Sequence, residues 1–203
     1  GDLHGIFAQR YSVNGLVQGL EFQVNTYTLG RQFFPNVTGL SDGGFVVSWM
    51  SEEQDGSRFG IYAQRYNAQG QSQGGEFRVN NYTNFDQYSS CITALSDGGF
   101  VVSWVSDFQN GSGCAGIYAR RYSSKGEPTG PEFRINDFST SSRWDPSVTA
   151  LNDGGFVVSW TADDPGWQVY AKRYNAQGQE QGAEFKVSGD TYSYESRVTA
   201  LAD

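Results

Sequence analysis

The chain has 203 residues and a net charge of −8, with 14 Lys and Arg against 22 Asp and Glu, 26 glycines and 15% aromatic residues. That balance argues against nucleic acid and anionic membranes as partners, since both call for a basic face. No stretch approaches the ~18 apolar residues of a spanning helix, no segment keeps a helical period, and glycine with aromatics suits many short strands joined by tight turns.

In chain order, the first strand-like segment is Phe7-Ala8-Gln9-Arg10-Tyr11, followed by Glu21-Phe22-Gln23-Val24-Asn25. Val37-Thr38-Gly39-Leu40 comes next and runs into the octet Asp42-Gly43-Gly44-Phe45-Val46-Val47-Ser48-Trp49. The octet returns unchanged at Asp97 to Trp104 and at Asp153 to Trp160, so its tryptophans stand 55 and 56 residues apart. The other segments recur with a similar step, 56 and then 52 residues, with Arg-Tyr at Arg65-Tyr66, Arg121-Tyr122 and Arg173-Tyr174, and Glu-Phe at Glu76, Glu132 and Glu184. A fixed period of this length marks a repeat architecture. The copies read approximately as 1–36, 37–91, 92–147, 148–197 and 198–203, partial at both ends. The period predicts one domain of about four repeats of about 54 residues with one Phe-Val-Val-Ser-Trp strand missing, and a chain that resumes Gly-Gly-Phe-Val-Val-Ser-Trp after Asp203.

Each repeat predicts four strands: A (Val-Thr-x-Leu), B (Phe-Val-Val-Ser-Trp), C (ending Arg-Tyr) and D (Glu-Phe-x-Val). Asp-Gly-Gly and Asn67-Ala68-Gln69-Gly70 read as hairpin turns, with glycine supplying positive φ. Strand B is apolar on both faces, Phe45, Val47 and Trp49 on one and Val46 on the other. A lone surface sheet would alternate cleanly; sheets stacked face to face bury both sides. The fold class predicted is all-β, a β-propeller of four-stranded antiparallel blades, with a β-trefoil or a β-solenoid as the alternative.

The repeat Asp-Gly-Gly-Phe-Val-Val-Ser-Trp, with Gly60-Ile61-Tyr62-Ala63-Gln64-Arg65-Tyr66-Asn67-Ala68-Gln69-Gly70 and Gly75-Glu76-Phe77-Arg78-Val79-Asn80, resembles tandem repeats of very large secreted bacterial proteins. Those proteins often also carry calcium-binding or cadherin-like adhesin modules. The resemblance implies an extracellular, propeller-like module at or beyond the cell surface. The Gly-Gly-x-Gly-x-Asp nonapeptide of calcium β-rolls is absent, so calcium does not carry over with it.

In an antiparallel A-B-C-D order the B–C and D–A loops share one face, and this is where the copies differ. Four aromatics recur there, Phe33, Tyr88, Trp144 and Tyr194, and Phe34, Phe85, Trp167 and Tyr192 stand near them. Aromatic faces among Asn, Gln, Arg and Asp suit sugars, although a residue present in every copy also suits packing between sheets. Acidic residues on the same face, Glu52, Glu53, Asp55, Asp107, Asp163 and Asp164, are candidate Ca²⁺ ligands. Cys91 and Cys114 are a candidate disulfide, compatible with an oxidising compartment. The recurring Asp42, Asp97 and Asp153 are expected to shape turns, and Arg10, Arg65, Arg121 and Arg173 to pair across strands with Glu21, Glu76, Glu132 and Glu184.

Catalytic patterns are weak. His4 is the one histidine. Gly39-Leu40-Ser41-Asp42-Gly43 matches Gly-x-Ser-x-Gly but opens a hairpin, not a strand-to-helix elbow. The Asp-to-Trp spacing of seven fails the sialidase Ser-x-Asp-x-Gly-x-Thr-Trp box. The expectation is a non-enzymatic, lectin-like extracellular binding or adhesion module for glycans, with no certain cofactor beyond a possible Ca²⁺. The alternatives are a structural spacer or assembly subunit that pairs strands with a neighbouring chain, and a propeller glycosidase.

Overall fold

The computed structural model describes residues 4–111, 113–137, 141–163, 166–189, 192–193 and 195–201. Every element among them is a strand. β1 (Phe7–Tyr11) and β2 (Val17–Gln23) form a two-stranded sheet. Three four-stranded antiparallel sheets follow. They are β3 (Gln32–Gly39), β4 (Phe45–Glu52), β5 (Phe59–Tyr66) and β6 (Phe77–Arg78); β7 (Gln87–Ala94), β8 (Phe100–Ser106), β9 (Gly116–Tyr122) and β10 (Phe133–Arg134); and β11 (Arg143–Ala150), β12 (Phe156–Ala162), β13 (Gln168–Tyr174) and β14 (Phe185–Lys186). In each, chain order is spatial order, so the A-B-C-D meander predicted from the repeat is the one observed.

Tight turns make this order possible. The Asp42 carboxylate accepts the Gly44 N–H at 2.9 Å, and Gly43 adopts φ 81°, where a Cβ would be strained. Asp97 and Asp153 repeat the bond at 2.9 and 3.0 Å. The fourth strand is short because a side chain takes over its pairing. Val79 donates to the Ile61 carbonyl, and the Asn80 side-chain oxygen then accepts the Ile61 N–H at 2.7 Å. Asn25 and Asn136 do the same for Ile6 and Ile117.

The sheets stack face to face. Val46 and Met50 of β4, with Ile61 and Ala63 of β5, pack against Phe100, Val102 and Trp104 of β8. Val101 and Val105, on the other face of β8, pack with Phe156, Val158 and Trp160 of β12. Strand B is thus buried on both sides, and Trp49, Trp104 and Trp160 are all fully buried. Each such side chain contributes about 1.5–3 kcal/mol relative to exposure.

Polar bonds then register one sheet on the next. Tyr66, Tyr122 and Tyr174 donate their hydroxyls to the carbonyls of Val24, Val79 and Ile135 in the preceding copy, at 3.2, 3.2 and 3.3 Å. The expected Arg–Glu cross-strand pairs do not form. Arg65, Arg121 and Arg173 instead pair with the turn residues Asp42, Asp97 and Asp153. Glu76, Glu132 and Glu184 accept backbone N–H groups of the preceding copy, at Thr26, Asn81 and Asp137. The carboxylate at the start of the last strand reaches the loop of the preceding copy, and the guanidinium on the adjacent strand turns to the Asp of its own sheet's turn.

Candidate functional site

The first strand of each four-stranded sheet carries an irregularity. Its pairing slips between Phe33 and Asn36, between Tyr88 and Cys91, and between Trp144 and Ser147. The residue after each recurring aromatic sits in the left-handed region: Phe34 at φ 50°, Ser89 at 51°, Asp145 at 51° and Glu195, in the last copy, at 57°. A bulge of this kind re-aims the side chain, and left-handed backbone costs a non-glycine residue about 1–2 kcal/mol. Four copies bear that cost at one position, and the side chain there is different each time.

Two cavities meet at Asp145. One, of about 410 Å³, is lined by Phe34, Asn36, Ser89, Cys91, Asp145 and Arg197, among others. The second, of about 360 Å³, is lined by Asp145, Trp167, Tyr192 and Glu195. Trp167 stacks on Trp144 with ring centroids 4.9 Å apart and planes at 19°, and Tyr192 is 73% exposed. Partial burial pushes the Asp145 carboxyl above its ordinary value; Arg197 opposes that rise and the charge of Glu195 adds to it. The second recess therefore offers an apolar wall, a phenol and two carboxyls, one of them biased toward its protonated form.

The predicted aromatic residues divide into three groups. Phe33 and Tyr88 are half-buried and pack against the core, the role a recurring residue suits. Phe34 is exposed at the first cavity, while Trp144, Trp167 and Tyr192 gather around the second. Phe85 meets Phe108, which sequence reasoning passed over, edge to face at 4.9 Å. Tyr194 lies outside the described residues, as does Asp164.

The acidic candidates are dispersed. Glu52 accepts the Arg31 N–H at 3.1 Å, Asp55 the Ser57 N–H at 3.2 Å, and Asp107 the Tyr88 hydroxyl at 3.3 Å. Glu53 sits at φ 59° in its turn, and Asp163 donates its N–H to the Ser142 carbonyl. Among the described residues no three His, Cys, Asp or Glu side chains come together as a metal site.

The disulfide expectation is corrected: no disulfide joins Cys91 and Cys114. Cys91 is on β7, opposite Ser103 of β8, which in turn is opposite Ala119 of β9. Cys114 precedes β9 on the far side of β8. Two strand spacings, roughly 10 Å, exceed the Cα separation of about 7 Å that a disulfide tolerates.

Sequence reasoning also missed Asp145, Glu195 and Arg197. The signal was present: next to the invariant aromatic position the copies read Phe34, Ser89, Asp145 and Glu195. The bulge that turns this position into the cavities is a feature of strand pairing, which no single segment displays.

No family model matches the chain, and no curated protein does. Solved structures do. A Hadza microbial sialidase superposes with a TM-score of 0.59 at 9% identity, over 73% of this chain and 36% of the sialidase. An α-L-arabinofuranosidase from Lactobacillus brevis gives 0.54 at 11% identity, over 93% and 66%. An endo-arabinase from Bacteroides thetaiotaomicron gives 0.52 at 13% identity, over 85% and 68%. The chain thus spans about a third of the sialidase and about two thirds of the other two. At these identities the likeness is one of fold. It overturns the expectation of a non-enzymatic module, because this fold is one that glycosidases use.

Proposed function

We propose that the stacked sheets are blades of a β-propeller and that the protein binds a neutral glycan in the recess of Asp145, Trp167, Tyr192 and Glu195. One observation carries the reading: two carboxyl residues from successive copies, both held in left-handed backbone, line one recess with exposed aromatic rings. A sugar stacks its C–H face on Trp167, while its hydroxyls reach the carboxyls and Tyr192. Two carboxyls near one guanidinium favour a neutral sugar over an acidic one. The fold shared with a sialidase, an α-L-arabinofuranosidase and an endo-arabinase supports a carbohydrate ligand. The likeness of the repeats to those of large secreted bacterial proteins supports an extracellular setting.

Hydrolysis is a second reading, favoured by the carboxyl pair itself. Glycoside cleavage uses one carboxylic acid to protonate the leaving oxygen and one carboxylate to act at the anomeric carbon, directly or through water. Asp145, biased toward its protonated form, suits the first role, and the exposed Glu195 suits the second.

Calorimetric titration with neutral arabinose-, xylose- and glucose-based oligosaccharides, with product analysis by chromatography, tests both readings. At least one series is expected to bind, with Trp167→Ala weakening it and with Asp145→Asn and Glu195→Gln abolishing any cleavage. No binding by any series overturns the glycan reading. Binding without cleavage by the native protein overturns the hydrolytic one.

A further inference from the structure

The recess is one end of a longer aromatic surface. Trp167 stacks on Trp144. Trp144 and Tyr88 hold the same place beside the pairing slip on β11 and β7, two strands that pack together, and the Tyr88 hydroxyl donates to Asp107 at 3.3 Å. Phe108 follows Asp107 in the chain and meets Phe85 edge to face, their planes at 71°. The surface thus runs from the third four-stranded sheet onto the second along the face that carries the B–C and D–A loops.

Its far end is built at a cost that packing does not explain. Phe85 adopts φ 62° and Phe108 φ 59°, and the two rings remain 45% and 41% exposed. Left-handed backbone strongly favours glycine over a bulky aromatic residue; the position equivalent to Phe85 in the first copy is Gly30, at φ 67°. Two strained phenylalanines that still face solvent do not serve the core, and strain of this kind concentrates where a surface has work to do. The rim is polar, with the Arg58–Asp86 pair at 3.1 Å and the Arg58 side chain 71% exposed. Apolar rings beside hydroxyl-bonding groups suit sugar again.

We propose that Phe85 and Phe108 form a second sugar subsite, and that the ligand is an extended glycan chain spanning from this platform across Trp144 to the recess of Asp145. The proposal rests on the glycan reading above and adds the class of ligand, a polymer rather than a terminal mono- or disaccharide. Chain length then adds affinity through contacts remote from Asp145.

The test compares the disaccharide and hexasaccharide of the arabinan and β-1,4-glucan series by calorimetry, on the native protein, on F85G/F108G and on W167A. Glycine relieves both strained positions, so the double variant keeps its fold, which a thermal melt verifies. The hexasaccharide is expected to bind the native protein about tenfold or more tighter than the disaccharide, a factor worth ~1.4 kcal/mol. F85G/F108G brings the hexasaccharide down to the disaccharide's affinity and leaves the disaccharide unchanged; W167A weakens both. Hexasaccharide affinity unchanged in the folded double variant overturns the subsite, as does a native protein that binds the two lengths equally. Binding of neither sugar to the native protein overturns the glycan reading, and the extension falls with it.

Discussion

Glu76 accepts the backbone N–H of Thr26 at 2.6 Å and that of Tyr27 at 3.1 Å, although it stands 50 residues further along the chain. The same carboxylate accepts a bond from Gln54 at 2.6 Å. One side chain on the outer strand of one copy thereby closes the loop of the copy before it. Hydrogen bonds to an ionised group contribute about 1.5–3 kcal/mol each when they replace an unmet donor. Glu76→Ala is therefore expected to lower stability by about 2 kcal/mol, read from the urea midpoint, with Glu76→Gln recovering part of the loss. A midpoint unchanged in Glu76→Ala contradicts the role.

The tyrosine links make an alkaline prediction. Burial, reinforced by Glu76, pushes the Tyr66 phenol up to about 12. The neutral phenol is the form the fold prefers, so its stabilisation is whole below the ordinary value of 10.0 and is lost as pH rises through about 12. Ultraviolet titration should show phenols that resist ionisation until the chain unfolds. Tyr66→Phe should be less stable at neutral pH and lose less on going alkaline.

Asp145 gives the opposite test at the acidic end. Its folded value is raised above the ordinary 3.8, mainly by burial. Its protonated form is thus favoured in the fold, a contribution fully present below the ordinary value and lost as pH rises through the raised one. Relative to Asp145→Asn, the native protein should be about as stable at pH near 3 and less stable at neutral pH. Parallel stability curves across that range contradict a desolvated carboxyl.

The separation of Cys91 from Cys114 is checked directly. Two reactive thiols should titrate in denaturant, and a reductant should leave the melting temperature unchanged. One disulfide in the mass spectrum would falsify the separation of Cys91 and Cys114 across β8.

Much of this architecture was legible in the sequence, and the reason is periodicity. Phe45, Val47 and Trp49 alternating with Val46 announced a strand buried on both faces, and the returning octet announced sheets that stack. Asp42 and Gly43 announced a turn by their own local chemistry. What stayed hidden depended on contacts between copies. Arg65 and Glu76 look like natural partners in a single hairpin, but each finds its partner elsewhere, at Asp42 and at Thr26. Asp145 and Glu195 attracted no notice because each stands beside a conspicuous aromatic position; the bulge at Asp145 and the left-handed backbone of both are what bring them to one recess. Phe108 was hidden in a loop whose conformation no pattern of two or 3.6 residues specifies.

The glycan reading places the sugar on Trp167 beside Asp145. Tryptophan fluorescence under titration with neutral oligosaccharides addresses it most directly, because Trp49, Trp104 and Trp160 are fully buried and only Trp144 and Trp167 line the proposed path. A saturable change in emission is expected, strongly reduced in Trp167→Phe while the thermal melt is preserved. Emission that does not respond to any neutral oligosaccharide, or that responds equally in Trp167→Phe, contradicts it.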